Sequence, residues 1–323
     1  MKSKEDCIHC GLCRKHCSFL EKYKLDIGQI EEREDLIYHC FLCGKCTEVC
    51  PQNIDGREII LRMRQKQVKE NQGKVKEKGY AMLIKEKKDY LFRNYQNATV
   101  KSVLFTGCNF PSFYPATTKY LIEKLQKEKG IGVVFDCCGK PIAELGLKEQ
   151  EERIIAEIEQ KLCREGVEEV IMLCPNCYFF LKSRLKVKVV SIYEKLKEFG
   201  WGEKIEGKIN VFPPCPDREK QTLLEEIKVF LTEPPNVIQD AQCCGLGGCA
   251  GKNEPDLVDN MVENIRKSGK VYTYCASCSG NFARKGYTDT DNLLVKILSR
   301  EEKPDTAKSI VNRMKMKYWR EES

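Results

Sequence analysis

Val170-Ile171-Met172-Leu173-Cys174-Pro175-Asn176-Cys177 and Val271-Tyr272-Thr273-Tyr274-Cys275-Ala276-Ser277-Cys278 share one pattern: four strand-forming residues run directly into Cys-x-x-Cys. Runs of β-branched and aromatic residues of this length read as short strands. Working outward from each copy, the same order of elements appears twice. In the first, Ser102-Val103-Leu104-Phe105-Thr106 ends at Gly107-Cys108, a helical stretch covers Thr117 to Lys129, Val133-Val134-Phe135 ends at Cys137-Cys138-Gly139, and a second helix covers about Glu149 to Glu165. In the second, Ile209-Asn210-Val211-Phe212 leads to Cys215, a helix covers about Arg218 to Leu231, Cys243-Cys244-Gly245 follows, and a helix covers about Asp256 to Ser268. Strands alternating with helices predict parallel sheets with helical crossovers, here two pseudo-symmetric α/β units of Rossmann-like type. Ligands of such sheets lie beyond the carboxyl ends of the strands, so the five cysteines of each half are expected to meet at one rim.

A different architecture precedes these halves. Cys7-x-x-Cys10-x-x-Cys13-x-x-x-Cys17 and Cys40-x-x-Cys43-x-x-Cys46-x-x-x-Cys50-Pro51 are two copies of the bacterial ferredoxin run. In it a tight loop presents three thiolates to one [4Fe-4S] cubane, and the fourth cysteine carries the chain to the other cubane. Cys7, Cys10, Cys13 and Cys50 are therefore expected to hold one cluster, and Cys40, Cys43, Cys46 and Cys17 the other. Zinc knuckles also use Cys-x-x-Cys pairs, but the doubled register of eight cysteines argues against them. The first copy has Ser18 where the second has Pro51. The three histidines, His9, His16 and His39, lie in or beside these loops, where packing or hydrogen bonding to the ligands suffices to explain them. Charged stretches with apolar residues at helical intervals connect the motifs, so the head reads as a small all-α domain.

The chain has 323 residues, 41% of them hydrophobic, and twenty cysteines. A chain of this size needs no disulfide framework, so the cysteines require a chemical explanation. The first residues carry no secretory signal, which sets the expectation of a reducing cytoplasm. No stretch is apolar for long enough to span a membrane, so membrane contact is expected to be peripheral at most. Net charge is +7, much of it between Arg57 and Lys101. With no nucleic-acid-binding motif in that run, it reads as a solvated helical linker and nucleic acid is not an expected partner. The expected organisation is an α-helical ferredoxin domain (1–56), a basic helical linker (57–100), two α/β units (101–200 and 201–300) and an amphipathic C-terminal helix (301–323), an α+β protein overall. That last helix carries Ile310, Val311, Met314, Tyr318 and Trp319 among basic residues, a face suited to a membrane surface, a partner or the body of the protein. Cys163 reads as a buried small hydrophobe on a helix, and Cys249, in a glycine-rich stretch, as a residue outside the ligand sets.

A single cysteine, then Cys-Cys-Gly, then Cys-x-x-Cys resembles the cysteine-rich CCG domain of the heterodisulfide reductase family. The whole arrangement is similar to the fused electron-input and catalytic parts of heterodisulfide reductase, and to the iron–sulfur subunits of anaerobic glycerol-3-phosphate dehydrogenase and lactate-utilisation systems. The resemblance implies a non-cubane [4Fe-4S] cluster at each complete motif, on Cys108, Cys137, Cys138, Cys174 and Cys177 and on Cys215, Cys243, Cys244, Cys275 and Cys278. Zinc at one of these sites and redox disulfides are the alternatives. Intervals shorter than the family's, and Pro213-Pro214-Cys215-Pro216 in place of Asp-Pro-Cys-His, bear on the cluster type. Two functions follow: reduction of a disulfide, or passage of electrons between a flavoprotein dehydrogenase and a quinone or other carrier. Both require a redox partner, a flavoprotein or a ferredoxin. No catalytic residue is singled out.

Overall fold

The computed structural model describes residues 4–320. Nine strands form two sheets. In the first, β1 (Asn94–Asn97) is an antiparallel edge beside β3 (Gly132–Phe135), which is followed in parallel by β2 (Ser102–Phe105), β4 (Glu169–Met172) and β5 (Lys188–Ser191). In the second, β7 (Asn236–Val237), β6 (Asn210–Val211), β8 (Val271–Thr273) and β9 (Thr290–Asn292) repeat the parallel order. The mixed α and β class expected from the sequence is thus present, with parallel sheets as its framework. In the parallel ladder Phe105 lies beside Met172 and Val211 beside Tyr272, so the cysteines after β2 and β4, and after β6 and β8, leave the same end of their sheets.

Helices cover these sheets through apolar faces. The helix Lys148–Arg164 buries Ile154, Ile158 and Leu162, and Pro255–Arg266 buries Leu257, Val258, Met261, Val262 and Ile265. The second half is more meagre than its sequence suggests. The helix expected over 218–231 is one of six residues, Thr222–Ile227, followed by a 3-10 turn at Lys228–Phe230. Its start is set by buried Asp217, whose carboxylate accepts from the backbone N–H groups of Leu223 and Leu224 and from the Tyr274 hydroxyl at 2.7 Å. Prolines at 213 and 214 and at 234 and 235 flank β6 and β7 and limit each to two residues, since proline cannot donate to a ladder.

The reading of residues 57–100 as a solvated helical linker is corrected. Helix Gly56–Glu70, capped by the Asp55 carboxylate, buries Ile59, Ile60 and Val68, and β1 extends the first sheet. Arg64 is fully buried. Its guanidinium donates to the carbonyls of Ile37 (2.7 and 2.9 Å), Cys40 (2.8 Å), Glu144 (2.6 Å) and Gly248 (2.8 Å), tying the head to both halves of the body. Much of the positive charge in this run does lie at the surface, but fully buried Arg64 is a structural pin.

The head itself consists of short helices, Leu12–His16, Ser18–Lys22 and Lys45–Glu48, with a 3-10 segment at Glu34–His39. Its apolar residues Phe19, Leu20 and Phe41 share one core with Phe212, Leu257, Met261 and Phe282 of the second half. Buried Glu254 anchors this junction, 2.6 Å from each of Lys22 Nζ, Tyr23 Oη and His39 Nδ1.

At the other end, helix Ser309–Lys317 turns its polar side inward. Ser309, Asn312 and Met316 are buried, and the Asn312 amide donates to the Ser112 carbonyl at 3.1 Å. Arg313 reaches Ser112 Oγ and the Glu86 carboxylate. Ile310, Val311, Met314 and Tyr318 are left exposed, Tyr318 at 70%. Expected residues 321–323 of this helix lie outside the described residues.

Candidate metal centres and the cleft between them

The two head loops repeat each other's backbone. His9 and Leu42, one residue before the second cysteine, and Gly11 and Gly44, one residue after it, all adopt left-handed conformations. This curls each loop tightly enough to point its sulfurs inward. Cys7, Cys10, Cys13 and Cys50 line one cavity, closed at the back by Ile27 and Ile54. Gly28 and Gly56 let the backbone approach: a Cβ on Gly28 would lie 2.9 Å from Cys7 Sγ, and one on Gly56 2.8 Å from Cys46 Sγ. The second group gathers around Cys46, whose thiol is pushed well up by burial and by neighbouring Cys17, Cys40 and Cys43. Backbone N–H groups already aim at sulfur, from Ile27 to Cys13 and from Leu42 to Cys40, both at 3.4 Å.

In the body each set of five cysteines forms a chain of near contacts. Cys137 lies within hydrogen-bonding reach of Cys108 and Cys138, and Cys177 of Cys138 and Cys174. The second set repeats this: Cys215 Sγ is 3.9 Å from Cys243 Sγ, and Cys244 reaches Cys243 and Cys278. In each chain the second member of the adjacent pair is held acidic, and in the second chain Cys275 is lowered as well, through hydrogen bonding with Cys278. Hydrogen bonding from Cys137 and Cys177 lowers Cys138 to about 5, and Cys243 and Cys278 hold Cys244 well below the usual thiol range. Gly139 and Gly245 take left-handed conformations directly after the pairs and turn the chain away from them. None of the twenty cysteines is paired in a disulfide. Groups of four and five sulfurs, mostly buried and with peptide N–H donors beside them, are a donor set that fits iron–sulfur clusters.

The two rims open on one cleft of about 550 Å3, lined by all five cysteines of the first set and by Cys215, Cys244 and Cys278 of the second. They touch across it: the Asn109 amide donates to Ser277 Oγ, and the Asn176 amide to Cys275 Sγ at 3.4 Å. Cys249 also lines the cleft, whereas Cys163 is solvent-exposed rather than buried, its thiol facing Glu159 instead of the sheet.

Head and second rim meet through their cysteines, while the first half is held to the head by the Tyr38 hydroxyl on the Leu145 carbonyl at 3.1 Å. Cys43 is hydrogen-bonded to Cys243, which lowers the Cys43 thiol to about 6. Buried Arg218 donates to Cys215 Sγ at 3.2 Å and stands 3.8 Å from the Glu48 carboxylate. Burial opposes its charge, but the thiols of Cys215, Cys43 and Cys243 more than offset this and raise its pKa. In the first rim Lys87, also buried and paired with Glu86 at 2.8 Å, stands beside Cys108 and Cys137 in the same way. Sequence reasoning missed Lys87, Arg218 and Gln242, which touch these groups. Arg218 and Gln242 adjoin cysteine motifs, but nothing in their local pattern separates them from surface residues.

Comparison with known proteins agrees with this geometry. Residues 3–54 match the 4Fe-4S dicluster domain, and residues 102–182 and 209–283 each match the cysteine-rich CCG domain. The chain thus joins a 4Fe-4S dicluster domain to a pair of CCG domains, and its relatives include subunits of a heterodisulfide reductase and of a fumarate reductase. It is 26% identical to a subunit of the fumarate reductase (CoM/CoB) of Methanothermobacter marburgensis, over 86% of this chain and 67% of that one. It is 25% identical to a subunit of the dihydromethanophenazine:CoB–CoM heterodisulfide reductase of Methanosarcina mazei, over 73% and 68%. An uncharacterized iron–sulfur protein of Methanococcus maripaludis is 25% identical over 83% of this chain and 62% of its own length. The chain thus spans roughly six-tenths of some curated relatives, 56% of one from Methanocaldococcus jannaschii. Among the described residues no helix is long and apolar enough to cross a membrane.

Proposed function

We propose that this iron–sulfur electron-transfer protein reduces a disulfide in the cleft between its two CCG rims. The observation that carries this is that the two cysteine rims open on one cavity, lined by five sulfurs of the first and three of the second, with amides of the first hydrogen-bonded to the second. Cys7, Cys10, Cys13 and Cys50 hold one cubane, Cys40, Cys43, Cys46 and Cys17 another, and each rim holds a non-cubane [4Fe-4S] cluster. When bound, these clusters supply one-electron carriers. The reaction takes two electrons from a reduced flavoprotein or ferredoxin partner and two protons from solvent, breaks one S–S bond and releases two thiols. For this the chain's own residues supply the sulfur ligands, the Asn109 and Asn176 bridges that hold the rims at a fixed separation, and the buried Lys87 and Arg218 cations that offset thiolate charge. Anaerobically purified protein is expected to contain about sixteen irons, four per cluster. Addition of the CoB–CoM heterodisulfide or cystine to the reduced protein should then change its electron paramagnetic resonance spectrum. Eight irons with zinc in the body would sink this reading.

A second reading, transfer to a lipid-soluble carrier such as a quinone, is favoured by the outward apolar face of helix Ser309–Lys317. This helix packs on Asn109–Phe113, the helix directly after Cys108, and so lies over the first rim. Exposed Lys308, Lys315, Lys317 and Arg320 surround that face, with no acidic residue between Ala307 and Arg320. Charge and shape together suit an anionic membrane surface. The full chain is expected to sediment with phosphatidylglycerol vesicles and to lose most of that binding in a Val311→Glu, Met314→Glu double variant. Equal sedimentation of the two proteins would remove the support for this reading.

A further inference from the structure

Gln242, directly before the Cys243-Cys244 pair, reaches out of the second rim into the head. Its Oε1 accepts from both the backbone N–H and the hydroxyl of Ser18, each at 2.7 Å. Its Nε2 points at Cys17 Sγ (3.4 Å) and Cys43 Sγ (3.8 Å). The orientation of the carboxamide is not free. A peptide N–H can only donate, so the amide oxygen must face Ser18 and the NH2 group must face the two sulfurs. Ser18 occupies the position held by Pro51 in the second cysteine motif, and a proline there would have neither an N–H nor a hydroxyl to offer. The departure from the repeat is thus what holds Gln242 in place.

We propose that Gln242, locked by Ser18, sets the reduction potential of the cluster on Cys40, Cys43, Cys46 and Cys17, and so directs electrons from the head into the second CCG rim. This rests on the ligand assignment given above. Hydrogen bonds to cluster sulfurs are among the levers that set these potentials, because a donor stabilises the more negative, reduced state. The two head sites differ in this respect. The site on Cys7, Cys10, Cys13 and Cys50 is the outer one, with Cys10 exposed. The other abuts the body through Cys43 and Cys243 and receives the Gln242 donors. Raising the potential of the inner cluster above that of the outer one makes the forward step downhill. The electrons then rest beside the second rim, and the first rim receives them only across the cleft.

Anaerobic potentiometric titration of the full chain, followed by electron paramagnetic resonance, tests this. Gln242→Glu keeps the side-chain shape but replaces both donor protons with a charged acceptor. The midpoint of one cubane should fall by at least tenfold in equilibrium constant, about 59 mV for one electron, with the other clusters unmoved. Ser18→Pro, at a first helical position that tolerates proline, should lower the same midpoint by releasing the amide. Unchanged midpoints in both variants at full iron content would overturn the proposal, and so would an equal shift of all clusters. If Gln242→Glu loses iron, Gln242→Met is measured in its place, and loss of iron there too would mark Gln242 as merely structural and overturn it. Failure of the ligand assignment is distinguishable: Cys43→Ser in the otherwise native chain would then leave every cubane signal intact.

Discussion

Replacing Arg64 with methionine is expected to destabilise the protein by about 4 kcal/mol, a loss that anaerobic denaturant unfolding would read directly. The side chain makes five hydrogen bonds to four main-chain carbonyls, and its guanidinium also stacks 4.8 Å from the Tyr38 ring centre. Methionine fills much of the same volume but donates to none of these acceptors. Each buried carbonyl left unpaired costs about 1 to 3 kcal/mol, reduced where water can enter or neighbours shift. Lysine is expected to recover only part of the loss, because a single ammonium cannot span acceptors from three parts of the chain as a planar fork does. A change under about 1 kcal/mol would show that the head docks on the body without this pin. Since Cys40 opens the second head motif and Ile37 shortly precedes it, the same variant should loosen the joint through which electrons leave the head.

The second large effect is expected at Cys244. Changing it to serine should reduce the iron content from about sixteen to about twelve per chain, four irons being one cluster. It should abolish disulfide reduction while leaving the cubane signals in place. Cys244 is held well below the usual thiol range by hydrogen bonds with Cys243 and Cys278 and by the backbone of Leu246, which places its sulfur at the middle of the second rim. Cys163→Ser is the matched control and should change neither quantity, because Cys163 is exposed on the helix Lys148–Arg164. Full iron content in the Cys244 variant would mean that the second rim is held by its other cysteines alone.

Several elements resisted sequence reading for identifiable reasons. β1 is Asn-Tyr-Gln-Asn, polar because it is an edge, and its pairing with β3 is antiparallel and irregular. β7 and β9 carry only two and three residues and have no periodicity to find. The linker reading failed because a run of lysines and arginines conceals buried Arg64 and Lys87, and charge counts do not distinguish a cation facing water from one facing carbonyls or thiols. The C-terminal helix showed both apolar and polar residues at helical spacing, but spacing does not say which face turns inward. Here Asn312 and Arg313 find polar partners on Ser112 and Glu86, and the apolar face is left outside.

What the sequence determined by itself is everything encoded locally: the doubled head motif, the strand that ends at each Cys-x-x-Cys, and the repetition of five cysteines per half. These follow from backbone loops and strand ends only a few residues long, whose geometry a short segment dictates. The tertiary structure alone decided that the rims share a cleft, that head cysteines meet cysteines of the second rim, and that Ser18, Gln242 and Arg218 belong to that junction. The reason is separation along the chain. Gln242 lies 224 residues from Ser18, and only the shared core of head and second half brings them within hydrogen-bonding distance.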